Sequence, residues 1–122
     1  MTTQEIADQL IALCREGKFV EAINTLYSPD IVSVEAGAPP GQSREVTGLA
    51  AVLGKADWWQ SNHEVHGLSI EGPLATGHHF TVRFTLDVTF KPTGRRHTMD
   101  ELAIYQVKDG KIIREEFFYA LG

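Results

Sequence analysis

Asp109-Gly110 lies between two apolar-rich runs in the stretch 95–119. An Asp-Gly pair in that setting is the strongest short-range hairpin signal, because a two-residue type I′ turn needs positive φ at both central positions. Two antiparallel strands are therefore expected. On the first, alternation puts Met99, Glu101, Ala103, Tyr105 and Val107 on one face and Asp100, Leu102, Ile104 and Gln106 on the other. On the returning strand the sets are Ile113, Glu115, Phe117 and Tyr119 against Ile112, Arg114, Glu116 and Phe118. Neither face is cleanly polar, so the hairpin is expected to be covered on both sides, with carboxylates set among apolar residues. Those carboxylates are the first candidates for chemistry.

Two further strands precede the hairpin. Residues 63–71 read as strand up to Gly72-Pro73, and residues 79–91 alternate cleanly, with Phe80, Val82, Phe84, Leu86, Val88 and Phe90 on one side. Arg83 and Asp87, on the polar side, suit cross-strand surface pairing or a place at a dimer interface. Pro92-Thr93-Gly94 then predicts a type I turn followed by a glycine in the left-handed region. The second half is expected to be a four-stranded antiparallel meander.

The first half reads as helical. Thr3 can cap a helix carrying Ile6, Leu10, Leu13 and Cys14 at helical spacing, and Gly17 stops it. A second helix presents Phe19, Ala22, Ile23 and Leu26, ends at Tyr27, and is broken by Ser28-Pro29-Asp30. Residues 31–35 form a short β-branched strand ending in Glu35, residues 36–41 a Gly/Pro loop, and residues 48–61 a third helix with Leu49, Val52, Leu53 and Trp59 toward the core.

Strand length decides the shape. A thirteen-residue strand at about 3.4 Å per residue reaches roughly 43 Å, whereas a compact domain of this size is roughly 35 Å across. A flat sheet would not fit, so the sheet must curl, its concave side wrapped around the N-terminal helices. The expected fold is α+β, a curved, cone-shaped antiparallel sheet enclosing a cavity, with residues 1–122 as one domain.

Composition removes several function classes. Sixteen acidic against eleven basic residues give a net charge of −5, and no basic run exceeds Arg95-Arg96, so nucleic acid is not an expected partner. No stretch approaches the ~18 apolar residues of a membrane span, and no basic leader precedes an apolar core, so the expectation is a cytoplasmic chain with no membrane partner. The single cysteine, Cys14, falls on an apolar helix face and reads as a buried, inert thiol. Phosphate loops, nucleophile elbows and cysteine ligand patterns do not occur. His63 and His66 are three apart, which on a strand sets them on opposite faces, so no metal is expected; one of the two is expected to face the cavity.

The order helix, helix, short strand, helix, long-stranded meander resembles the nuclear transport factor 2-like superfamily, and within it the SnoaL-like, polyketide cyclase-containing group. The most specific pieces are Tyr27-Ser28-Pro29-Asp30, Trp58-Trp59 with Asn62-His63-Glu64-Val65-His66, and the run from Val107-Lys108-Asp109-Gly110 into Glu115-Glu116-Phe117-Phe118-Tyr119. The fold is implied; the chemistry is not, since this fold hosts isomerases, cyclases, dehydratases and binding modules. In the same superfamily, ketosteroid isomerase is a standard example of carboxyl pKa tuning. By alignment Glu35 falls on its general base and Tyr27 on a supporting pocket tyrosine. Its oxyanion tyrosine and protonated aspartate fall on Ile11 and Ala103, so that half of the machinery is missing, although Glu101 could supply a carboxyl nearby.

The resulting candidates are Glu35 and Glu101 as acid/base groups, with Tyr27, Trp59, His63, Ala103, Glu115, Phe117 and Tyr119 lining a substrate pocket. A carboxyl in an apolar cavity gains a raised pKa suited to proton transfer. The competing reading is that these carboxylates are paired with Arg44, Arg83 or Arg114, or reach the rim. Three functions stay open: a cofactor-free isomerase or cyclase acting on a small apolar carbonyl compound, a non-catalytic carrier of such a molecule, or a structural protein. Leu102, Ile104 and Phe118, apolar and facing away from the cavity, predict a homodimer through the outer sheet face.

Overall fold

The computed structural model describes residues 1–121. Its elements are α1 (Thr3–Arg15), α2 (Phe19–Leu26), β1 (Tyr27–Val34), β2 (Glu45–Thr47), α3 (Leu49–Asn62), β3 (His63–Thr76), β4 (His79–Phe90), β5 (Arg95–Lys108) and β6 (Lys111–Phe118). The strands form one curved, unclosed six-stranded sheet in the order β2-β1-β6-β5-β4-β3. β3 to β6 make the expected antiparallel meander, and β1 adds to it in parallel beside β6.

Local chemistry explains where the elements begin and end. α1 is capped by Thr2, one residue earlier than expected, because Thr2 and Glu5 have the spacing of a reciprocal capping box; the Thr3 hydroxyl instead donates to the Gly77 carbonyl at 2.9 Å. Gly17, at φ 75°, ends α1 in the left-handed region. α2 ends before Ser28-Pro29-Asp30, as expected, but passes directly into β1, so those three residues are already strand. Pro29 is accommodated because the β1–β6 register shifts between Tyr27 and Val32, where no ladder donor is required. β2 was not expected, being too short to show alternation. β3 also runs on past Gly72-Pro73, since a register shift between Glu71 and Leu74 absorbs that pair before pairing resumes.

Asp109 and Gly110 have φ 52° and 76°, as the hairpin turn requires. Just beyond it the register shifts: Val107 opposes Ile112 while Gln106 opposes Arg114, leaving Ile113 without an opposite residue. Simple alternation grouped Ile113 with Glu115. The bulge corrects this, so that Ile112 is fully buried and Glu115 still points inward.

The core lies in the concavity. Phe80, Val82, Phe84, Leu86 and Val88 of β4 pack with Ala103, Tyr105 and Val107 of β5 against the apolar faces of α1 and α2. Cys14 is buried there and its thiol is pushed up to about 12, chiefly by burial. On the convex side, Arg83 pairs with Asp100 and Arg96 with Asp87 across β4 and β5. Beside these pairs, Leu102, Ile104 and Phe118 remain 48%, 43% and 45% exposed, so among the described residues nothing fully covers that face. Among the described residues no helix is long and apolar enough to cross a membrane.

Candidate functional site

A cavity of about 770 Å³ opens between the sheet and the helices. Much of its wall is apolar, with Leu10 and Ile23 from the first two helices facing Phe84, Leu86 and Met99 from the sheet. Its polar lining includes Glu35 just after β1, Gln42, Ser43 and Arg44 from the loop before β2, Lys55 and Gln60 on α3, Tyr27 at the start of β1, and Glu101, Tyr105, Glu115 and Tyr119 from the C-terminal hairpin and the residues following it.

Two of the three carboxylates are held in a connected network. Glu115, only 3% exposed, accepts a short hydrogen bond from the Tyr27 hydroxyl and a second, at 2.7 Å, from Ser33 Oγ. Lys55 Nζ donates to Ser33 Oγ at 2.7 Å and to Glu35 Oε1 at 2.7 Å. Tyr119 completes the chain by donating to Glu35 Oε2 at 2.9 Å. Burial raises Glu115 above the usual carboxylate range while its two hydrogen bonds pull the other way. Burial, reinforced by Glu35, pushes the Tyr119 phenol up to about 12, so it stays a donor.

Glu101 differs from both. Among the described residues it has no hydrogen-bond partner, and its carboxyl is pushed up to about 7, first by burial, then by the negative charges of Glu35 and Glu115, with Lys55 acting in the opposite sense. An unpaired carboxyl on a largely apolar wall, titrating near neutrality, can both take and return a proton.

The structure brings Glu35, Glu101, Tyr27, Trp59, Glu115, Phe117 and Tyr119 onto one cavity wall. It places two expected lining residues elsewhere. His63 does not line the cavity: its ring stacks on Trp59 at 4.3 Å between centroids, and its Nδ1 is held 2.8 Å from the Trp59 carbonyl. His66 does not face the cavity either; it is exposed beside the Thr89 hydroxyl at 2.7 Å, so neither histidine serves as the expected cavity group. Ala103 is fully buried behind the lining, because its methyl is too short to reach past Glu101 and Tyr105 on the same face. The arginines considered as competing partners are engaged elsewhere, Arg44 on the Ala36 carbonyl, Arg83 on Asp100 and Arg114 on Glu116. The cation beside Glu35 is Lys55, which was not singled out from the sequence. Its signal was there: Lys55 lies between Val52 and Trp59 at helical spacing, a lone charge within the stripe of α3 that faces inward. Ser33, fully buried, was missed because a serine in a short β-branched strand carries no distinctive pattern. Among the described residues no group of three His, Cys, Asp or Glu side chains could hold a metal ion.

A curved, unclosed sheet closed off by three helices around a polar-cornered cavity defines an α+β protein of the nuclear transport factor 2-like cone fold. The chain belongs to the SnoaL-like domain family, whose profile matches residues 1–119. A candidate SnoaL-like polyketide cyclase from Mesorhizobium loti, also described as a carbohydrate phosphatase, is 45% identical, with a TM-score of 0.91 over 98% of this chain and 100% of that one. Two more distant structures share the fold. A candidate isomerase from Bacillus subtilis is 18% identical, with a TM-score of 0.77 over 98% and 90% of the two chains. A candidate polyketide cyclase from Pseudomonas putida is also 18% identical, with a TM-score of 0.73 over 99% and 93%. No curated protein sequence matches the chain.

Proposed function

We propose that this chain is an acid/base catalyst of the isomerase or cyclase kind, moving a proton on a small, largely apolar carbonyl compound. The observation that carries the reading is the state of Glu101, a carboxyl facing the cavity with no partner among the described residues and a pKa pushed up to about 7. Glu35, fixed by Lys55 and Tyr119, acts on it as a nearby negative charge. The description of the 45% identical relative as a candidate cyclase supports the same reading.

Simple carbonyl compounds serve as probes of this activity. Incorporation of solvent deuterium next to the carbonyl in a panel of cyclic and aromatic ketones is followed by NMR. Wild type should accelerate exchange for at least one member, and Glu101→Gln, which keeps shape but removes the proton site, should slow it by ~10²-fold or more. Equal rates for wild type and Glu101→Gln across the panel would reject the catalytic reading.

A second reading, a carrier of apolar molecules without chemistry, is favoured by one observation. Glu35 and Glu115 are already fully engaged with Lys55, Tyr119, Tyr27 and Ser33, as a purely structural polar network would be. In either case we infer that two copies pair through Leu102, Ile104 and Phe118, since a bare apolar patch framed by charged residues suits a self-complementary, two-fold contact.

A further inference from the structure

Lys55 shows how the cavity wall holds a cation. Its Nζ lies 2.7 Å from Glu35 Oε1 and 5.5 Å from the centre of the Phe117 ring. A carboxylate on one side and an aromatic face on another suit an ammonium group, because the attraction of the ring face adds to the ion pair.

The same two features occur again without a cation. Phe84 of β4 is directly opposite Glu101 of β5 in the antiparallel ladder, so the two side chains stand side by side on the concave face, and both line the cavity. No hydrogen bond or ion pair reaches the Glu101 carboxyl among the described residues. The field at this point also has a sign. After burial, the charges of Glu35 on the chain following β1 and Glu115 on β6 do most to resist ionisation of Glu101, each acting more strongly than the opposing Lys55 on α3. A potential that resists a negative charge favours a positive one in the same place. Arg44, also on the lining, is exposed and donates to the Ala36 carbonyl. The Cys14 thiol and the phenols of Tyr27, Tyr105 and Tyr119 are held above their ordinary pKa, chiefly by burial, and stay uncharged. Tyr105 adds a second sign of an occupant: its side chain lines the cavity, is 2% exposed and has no partner for its hydroxyl among the described residues.

We propose that Glu101 and Phe84 form a seat for the ammonium group of a ligand, so that the cavity takes flat apolar molecules carrying one protonated amine. The amine donates to the Glu101 carboxylate and lies against the Phe84 ring, while the hydrocarbon part fills the apolar space lined by Leu10, Ile23, Leu86 and Met99. Gln42, Ser43 and Gln60 offer the ligand neutral hydrogen bonds without a preference for charge, so selection by charge rests on Glu101. The inference goes beyond the proton-transfer reading and does not need it, since an ammonium group occupies the carboxylate whether or not that carboxylate also moves a proton.

The probes are three naphthalenes of similar shape and different charge: 2-(aminomethyl)naphthalene, 2-(hydroxymethyl)naphthalene and 2-naphthoate. Calorimetric titration near pH 8, where Glu101 is mostly ionised, should show the amine binding about 30-fold tighter than the alcohol, the scale of a charge-assisted hydrogen bond, with the carboxylate weakest. Glu101→Gln should bring the amine down to the alcohol and leave the alcohol unchanged. In wild type the preference for the amine should shrink several-fold between pH 8 and pH 6, because a proton and the ammonium group compete for one carboxylate. Glu115, also held above the usual carboxylate range, shifts the preference in the same direction as it takes up a proton. An amine that binds no tighter than the alcohol or not at all, a preference that survives in Glu101→Gln, or one that is equal at the two pH values would each overturn the proposal. Deuterium exchange plays no part in this measurement, so the failure of either reading leaves the other standing.

Discussion

At the scale of the residue, everything turns on why Glu101 differs from two other glutamates on the same wall. Glu35 and Glu115 have donors; Glu101 has burial and two negative neighbours. In the fold Glu101 holds its proton up to about pH 7, against 4.5 ordinarily, so between those values the folded chain binds more protons than the unfolded one. Stability contributed by this group is therefore present below the unfolded value and lost as pH rises through the folded one. With each pKa unit worth about 1.4 kcal/mol, the loss is at most on the order of 3 to 4 kcal/mol, less to the degree that the cavity is wet. Glu101→Gln should accordingly melt above wild type near pH 8, with the gap closing near pH 5; a gap that is the same at both would contradict the account. The exchange rate should rise with pH through about 7. Glu35→Gln, which removes a negative neighbour, should move that midpoint down, and Lys55→Met, which removes a cation acting on Glu101, should move it up. The carboxyls themselves were legible in the sequence, because alternation around Asp109-Gly110 put Glu101 and Glu115 on one face. Which of them is unpaired was not, since that depends on Ser33, Lys55 and Tyr27, residues 20 to 88 positions away from their partners along the chain.

At the scale of the element, α3 and β1 are joined to the hairpin through side chains rather than backbone. Lys55 ties α3 to Ser33 on β1 and to Glu35 after it, and Ser33 passes the connection to Glu115 on β6. Lys55→Met should cost about 2 kcal/mol, the scale of a lost charge-assisted hydrogen bond, because the lysine is only partly buried. Chemical denaturation with unchanged slope would measure it, and a loss below about 0.5 kcal/mol would show the pair to be no more than a surface contact. The hairpin, β4 and all three helices were readable from turn chemistry and periodicity. The bulge at Ile113, β2 and the continuation of β3 past Gly72-Pro73 were not, because each depends on what the neighbouring strand can tolerate. His63 and Ala103 were misplaced for the same reason: alternation assigns a face, but only packing decides whether a side chain on that face reaches the cavity.

At the scale of the whole molecule, the curl that strand length demanded is what creates the site, since a flat sheet would have left its inner carboxylates in water. The same curl leaves the convex face of β5 and β6 bare. If two copies cover it, sedimentation at micromolar concentration should give twice 13.5 kDa, and Phe118→Glu should return the chain to a monomer with its cavity intact. A monomeric wild type would remove the pairing and leave the site untouched. The central claim, that the cone holds one unpaired carboxyl poised to exchange a proton near neutrality, is tested most directly by a ¹³C NMR titration of the Glu101 side-chain carboxyl in the intact protein. The account predicts a midpoint near 7 that falls in Glu35→Gln; a midpoint in the ordinary range of about 4 to 5 would contradict it.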